Sequence, residues 1–197
     1  MATNSSKTNG VRNSIVEAAV TCFGEYGVAK TTMEDIAQRA NVSRITVHRH
    51  FRTRDALIQE VLAEKLRRFT ARARKELEAC DTLTDRIVRY LMLSVSVGAR
   101  DKSLMALLEA DGSGHAGEVV ATSEALRRSV EELWGPFFED ARTRGELRAE
   151  ITSEDASFWI MMMQFLLVQA LHKRFRGDRL EELIRHFITP AFVTSRS

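Results

Sequence analysis

The twelve residues from Ser43 to Arg54, SRITVHRHFRTR, hold four arginines and two histidines, separated only by hydroxyl and apolar residues. Guanidinium groups are permanently charged, fork-shaped donors that match phosphate oxygens and the guanine edge, and imidazoles add further donors. Whether they act together depends on where a helix would place them. At about 100° per residue from Arg44, Val47 falls near 300° and Phe51 near 340°, which makes an apolar edge for docking. The opposite arc holds Ile45, Arg49 and Thr46, with Arg44 and His48 on one flank and His50 on the other. A helix held by that edge can lie in a major groove, where arginine pairs with guanine and an aliphatic side chain touches a thymine methyl. Arg52 and Arg54 follow at a helix junction, where cations and free backbone amides suit phosphates.

Other elements must hold this helix in place. Val11 to Tyr26 carries apolar residues at 11, 15, 18, 19, 22 and 23, the spacing of an amphipathic helix, and Gly27 follows as a left-handed stop. Thr31 and Thr32 are N-cap candidates for a short second helix. Glu34 and Asp35 stand where a capping box needs an acid, and Met33, Ile36, Ala37 and Ala40 form its buried stripe. Asn41-Val42 makes a tight turn, and Ser43 caps the third helix, which runs to about Phe51. Thr53 caps a fourth, Arg54 to about Ala79, roughly 39 Å long at 1.5 Å per residue and so able to link two modules.

Beyond it the spacing predicts helices from Thr82, from Asp101, from about Glu118 to Arg144, from Thr152 or Ser153 to about Phe175, and from Leu180 to about Phe187. Gly135-Pro136 is expected to kink or split the long one, and Asp111 to Gly117 reads as a loop. No segment alternates with period two. The chain therefore reads as all-α with about nine helices: a disordered tail 1–10, a helix-turn-helix module 11–53, and a larger body 54–197 entered through the fourth helix.

Composition agrees with two modules of different character. The 197 residues suit one large domain or a small one attached to a larger, and two prolines with ten glycines are too few turn signals for a many-stranded sandwich or barrel. The net charge of +2 conceals an asymmetry, since residues 1–75 carry +7 and residues 76–197 carry −5. A basic half suits a polyanion, and the acidic half does something else. Cys22 and Cys80 are isolated, which gives neither a disulfide framework nor a metal-binding pair and points to a reducing cytoplasm. MATNSSKTNG has no apolar run for a signal peptide. Ala156 to Leu171 is shorter than the roughly 20 residues a bilayer needs.

Helix, turn, helix on its own also occurs in many cores, so order and spacing carry the discrimination. The run TTMEDIAQRANVSRITVHRHFRTRDALIQEV, Thr31 to Val61, resembles the DNA-binding domain of tetracycline-repressor-type (TetR family) transcriptional regulators. It follows the pattern T-T-x-x-x-I-A-x-x-A-x-V-S, then T-[LV]-Y-x-[HY]-F, then a basic residue and A-L. Gly145-Glu146-Leu147-Arg148 and the acidic start of the next helix resemble the family's link into its dimerising helices. The resemblance implies a homodimer in which three N-terminal helices meet double-stranded operator DNA and about six more bind a small effector and dimerise. Carried over by position, Ser43, Arg44, Thr46, His48 and Arg49 face DNA and Arg54 meets phosphate. Ile45, His50, Arg52 and Thr32 at the second helix's cap complete the candidate set. Three positions depart from the pattern: His48 stands where tyrosine is usual, Arg54 where lysine is usual, and Ile45 where a small residue is frequent.

In the acidic half the resemblance implies an effector pocket, with Tyr90, Met92, Met105, Leu108, Trp134, Phe137, Phe138, Trp159, Met162 and Met163 as its candidate lining. Aromatics with flexible methionines suit a mostly apolar ligand, although most of them must also be core. The segment from Phe158 to Leu171 is apolar on nearly every side, so one face can pack within its own domain and another on a partner subunit. Phe165, Leu166, Gln169, Leu183 and Phe187 are the candidate interface. Catalysis and metals find no support. Asp111-Gly-Ser-Gly-His115 has no strand before it and no GK[ST] or GxSxG, and His115, His172 and His186 lack helical i,i+4 partners of metal-ligand type. The expectation is a regulator without cofactor or metal, not an enzyme. The alternative is a helical small-molecule-binding protein or enzyme that does not bind DNA.

Overall fold

The computed structural model describes residues 2–109, 122–171, 174–175 and 177–194. Among these the chain forms nine α-helices: α1 (Ala2–Tyr26), α2 (Met33–Arg39), α3 (Arg44–His50), α4 (Arg54–Glu78), α5 (Leu83–Gly98), α6 (Lys102–Glu109), α7 (Glu124–Thr143), α8 (Ser153–Leu166) and α9 (Gly177–Leu183). α8 continues into a widened π turn, Leu167–Leu171, and α9 into another, Ile184–Ile188, followed by a 3₁₀ turn, Thr189–Ala191. The fold is all-α as expected. Among the described residues the only strand-like pairing is an isolated antiparallel bridge between Leu147 and Val193.

Two compact units are present, Met1–Lys65 with Asp101–Val119, and Leu66–Arg100 with Val120–Ser197. The division falls inside α4 and not at the 53/54 boundary read from the sequence. α6 belongs to the first unit because it packs on α1: Gly24 faces Ser103, and Lys65 Nζ donates to Asp101 Oδ2 at 2.6 Å. The expected loop from Asp111 to Gly117 lies outside the described residues, as does His115.

In the first unit, Ile15, Val16, Ala18, Ala19, Cys22 and Phe23 of α1 meet Ile36 and Ala37 of α2, Val47 and Phe51 at α3, and Leu57 and Val61 of α4 in one core. α1 stops at Gly27, whose φ of +79° is in the left-handed region, and Thr31 Oγ1 donates to the Gly27 carbonyl at 2.8 Å. The tail 1–10 needs correction, since α1 begins at Ala2. The segment has no proline, and extending a helix that packing has already nucleated adds one bond per residue.

In the second unit, Leu83, Ile87, Tyr90 and Leu91 of α5 pack with Val130, Leu133, Trp134 and Phe138 of α7 and Ala156, Ile160 and Met161 of α8. The Val168 side chain of the π turn lies against the α5 backbone at Gly98, where an added Cβ would stand 2.6 Å from Val168 Cγ1. Arg86 is buried with its Nη1 on Asp140 Oδ2 at 2.8 Å and its Nε on the Leu77 carbonyl at 3.3 Å. Pro136 does not split the long helix as expected, because α7 runs unbroken through it. A helical proline leaves the carbonyl four residues earlier without its donor and crowds the residue before it. Here the Glu132 carbonyl accepts from Arg74 Nη2 at 3.0 Å, and the preceding residue is Gly135, which has no Cβ to crowd. α8 is also shorter than the reading to Phe175.

Candidate nucleic-acid interface

The short helices that carry the interface are defined by local hydrogen bonds. Thr32 caps α2 by accepting the Asp35 N–H at 3.1 Å, and its own N–H and hydroxyl donate back to Asp35 Oδ2, both at 2.8 Å. Those bonds hold the Asp35 carboxyl below its ordinary pKa. The acid of the capping box is therefore Asp35, and Thr31 turns back to bind the end of α1. α2 ends in a Schellman turn: the Asn41 N–H donates to Gln38 O at 3.1 Å and the Val42 N–H to Ala37 O at 3.0 Å. That turn requires a left-handed residue, and Asn41 supplies it with φ +54°. Ser43 Oγ then accepts the Thr46 N–H at 3.2 Å to start α3.

Seven residues are too few for an autonomous helix, so tertiary contacts hold α3. Val47 and Phe51 are buried, and the Arg12 guanidinium lies 4.9 Å over the Phe51 ring while bound to Glu60 at 2.6 Å. Each fully buried side chain of this kind contributes roughly 1.5–3 kcal/mol. With that edge fixed inward, Ile45 is 79% exposed, Arg44, His48 and Arg49 are exposed, and Thr46 and His50 are half-buried. Arg44, Arg49 and Arg52 form no ion pair among the described residues. They contrast with Arg39, which is locked to Glu25 and Tyr26 on α1 and pulls the Glu25 carboxyl below its ordinary range. Arg54 is half-buried and donates through Nη2 to the Val28 carbonyl, so it ties the start of α4 to the loop after α1. Lys30, exposed and without an ion pair two residues before the α2 cap, is a further cation of this unit. Standing alone outside the basic run, it gave no sequence signal. A cleft of about 480 Å³ lies between α1 and α2, lined by Cys22, Tyr26, Lys30, Asp35, Gln38 and Arg39.

The residues expected to line a pocket separate into groups. Tyr90, Trp134 and Phe138 are wholly buried and Phe137 nearly so, in a ring ladder: Tyr90 stands edge-on to Trp134 at 5.2 Å and Phe138 stacks on Trp134 at 5.1 Å. Met92 is half-buried on α5. Met105 is half-buried on α6 in the first unit, and the side chain of Leu108 lies outside the described residues. Trp159 stands apart from the ladder at 55% exposed, and Met162 and Met163 are half-buried. Trp159, Met162, Met163 and Leu166 follow the i, i+3, i+4, i+7 spacing of one helix face. Leu166 is 42% and Phe187 77% exposed, Gln169 is exposed, and Phe165 and Leu183 are half-buried. The methionine on α8 that turns inward is Met161.

Among the described residues no group of His, Cys, Asp and Glu could hold a metal ion. His172 lies outside them, and His186 uses Nδ1 on the Glu182 carbonyl at 2.7 Å. No described helix is long and apolar enough to cross a membrane.

Residues 15–61, which contain α2, α3 and their supports, match the family described as bacterial regulatory proteins, tetR family. The chain is 27% identical over 177 residues to the HTH-type transcriptional repressor KstR2 of Mycolicibacterium smegmatis, covering 90% of this chain and 73% of that protein. Over 50 residues it is 40% identical to the probable acrEF/envCD operon repressor of Escherichia coli, a match that covers 25% of this chain and 23% of that protein. In fold it resembles the TetR family repressor AlkX of a Dietzia strain, with a TM-score of 0.68 at 18% identity over 91% of this chain and 94% of that one. RolR, crystallised with the ligand resorcinol, gives the same TM-score at 15% identity, covering 95% of this chain and 90% of RolR.

Proposed function

Because the chain belongs to the TetR family and is a DNA-binding transcriptional regulator, we propose that it is a homodimeric repressor released from a palindromic operator by a small, mostly apolar effector. One observation carries the reading: α3 is anchored through Val47 and Phe51, while Arg44, Ile45, His48 and Arg49 project from it unengaged. In the proposed complex Arg49 and Ile45 meet base edges, with Thr46, His48 and His50 beside them. Arg44, Arg52, Ser43 and Thr32 meet the phosphate backbone, and Arg54 supports the junction through its bond to Val28.

Dimerisation is proposed through the exposed stripe of Trp159, Met162, Met163 and Leu166 on α8, with Phe165, Gln169, Leu183 and Phe187 around it. Solvent-facing aromatic and aliphatic side chains at regular helical spacing favour burial in a symmetric helical interface. The effector is proposed to bind in the second unit among the ring ladder, a reading supported by a protein of the same fold that holds resorcinol. α4 continues from one unit into the other, so displacing its second half can reach the start of the first. An effector acts only through its difference in affinity between the DNA-bound and released forms. The working compartment is proposed to be the cytoplasm, where the two free cysteines stay reduced.

The decisive experiment is recovery of genomic fragments bound by the purified protein at low salt, followed by gel shifts with the recovered duplex. A palindromic site is the expected result, and failure to shift any genomic fragment would refute the reading.

A further inference from the structure

The interior of the second unit holds one polar group that packing leaves unsatisfied. Trp134 is wholly buried, and its Nε1–H is the single buried side-chain polar atom among the described residues without a hydrogen-bond partner. It lies beside the Tyr90 hydroxyl without the geometry of a hydrogen bond, while that hydroxyl gives its own proton to Gln164 Oε1 at 2.7 Å. Burial pushes the Tyr90 pKa far above its ordinary value, so the hydroxyl stays neutral. An unpaired buried donor costs as much as a lost hydrogen bond, and such groups in folded proteins call for an explanation. Core packing alone is served by phenylalanine, which has no N–H to strand.

The surroundings define what could satisfy this donor. Phe69 stands edge-on to Tyr90 at 5.3 Å and Phe137 edge-on to Trp134 at 6.1 Å, so the walls are aromatic. Arg86 lies 5.0 Å over the outer ring of Phe137, but its guanidinium is held by Asp140 and the Leu77 carbonyl, so it is not free to neutralise an anion. Met161, three residues before the half-buried Gln164 on α8, is buried, and methionine is the flexible, adaptable side chain of such interiors.

We propose that Trp134, Tyr90 and Gln164 form the polar end of an internal site for an uncharged aromatic molecule with one hydrogen-bond acceptor, typified by an aryl ketone, whose oxygen takes the Trp134 Nε1–H. This deepens the effector reading and rests on it for any regulatory consequence. A hydrocarbon leaves the donor stranded, and a carboxylate enters without a counter-charge.

The test uses full-length protein labelled with ¹⁵N. It contains two tryptophans, so its spectrum has two indole N–H resonances, and Trp159→Phe identifies that of Trp134. Acetophenone, ethylbenzene and benzoate are the probes. Acetophenone is expected to move the Trp134 resonance downfield saturably, while ethylbenzene and benzoate bind at least about tenfold more weakly. In calorimetry Trp134→Phe should lose about tenfold in acetophenone affinity and leave ethylbenzene unchanged. The proposal is overturned if the resonance ignores acetophenone, if ethylbenzene moves it equally, or if Trp134→Phe keeps full acetophenone affinity. The titration of the unaltered protein decides the matter even if that variant does not fold. Operator affinity in the same samples separates the two readings. Binding at Trp134 with unchanged operator affinity keeps this site and removes its regulatory role. Operator release without a Trp134 shift keeps an effector elsewhere and overturns this site.

Discussion

Arg52→Ala should change the salt dependence of operator binding, whereas Arg39→Ala should not, although both remove one exposed arginine from the same unit. The difference lies in their partners. Arg39 is already neutralised by Glu25, and Arg52 forms no ion pair among the described residues. An unpaired cation that meets a phosphate releases condensed counterions, which contributes about 0.9 to the slope of log K against log salt. The proposed symmetric dimer presents Arg52 twice, so the variant's slope should be shallower by about 1.8. Between roughly 50 and 200 mM salt its affinity should then fall about 12-fold less than that of the unaltered protein. The measurement is fluorescence anisotropy with a labelled duplex recovered from the genomic selection, across a salt series for the three proteins. An unchanged slope for Arg52→Ala, or an equal decrease for Arg39→Ala, would refute the reasoning that unpaired surface cations mark the DNA face.

Other outcomes follow from particular contacts. Gly98→Ala should destabilise, because its Cβ meets Val168 at 2.6 Å, and the overpacking cost of about 1–3 kcal/mol exceeds the helix-propensity gain of up to about 1 kcal/mol. Gly24→Ala, whose nearest neighbour is Ser103 Cβ at 3.5 Å, should instead stabilise by about 0.5–1 kcal/mol; urea unfolding midpoints for the two check both signs. Burial alone would raise the Asp101 pKa, but donors from Lys65, Leu104 and Ser103 outweigh it and hold the carboxyl below its ordinary range. Its stabilisation is thus complete above its unfolded pKa of about 3.9 and lost as pH falls through the lower folded value, so Asp101→Asn should be less stable at neutral pH. That deficit should close in unfolding curves taken below about pH 4, and a gap constant with pH would contradict it. Leu166→Glu combined with Phe187→Glu should yield monomers in light scattering, while Glu at exposed Arg128 should leave the assembly intact.

Legibility in the sequence tracked the range of the interactions. Ser43 and Thr82 cap the helices they were expected to start, and of Thr152 and Ser153 it is Thr152 that caps α8, because a cap needs only a side-chain oxygen and an N–H three residues on. The two faces of α3 were equally readable, since about 100° per residue assigns Val47 and Phe51 to one side and Arg49 and Ile45 to the other before any partner is known. A match over residues 15–61 agrees with a module whose order and spacing are local properties.

Other features required the assembled chain. α7 survives Pro136 because Arg74, 58 residues away from Glu132 in sequence, supplies the donor that the proline removed. α6 joins the first unit through Gly24 and Lys65, whose nearness to Ser103 and Asp101 no periodicity encodes. On α8 composition could not distinguish an inward methionine from an outward one, and packing turned Met161 in while leaving Trp159 on the surface. Hydrogen bonds within one turn and the helical repeat act on neighbours in the chain, so the caps and the two faces of α3 were written in the residue order itself. Whether Trp134 finds a partner for its N–H, or Gly98 finds room for a Cβ, depends on atoms that only folding brings together, and those contacts were decided by the tertiary structure alone.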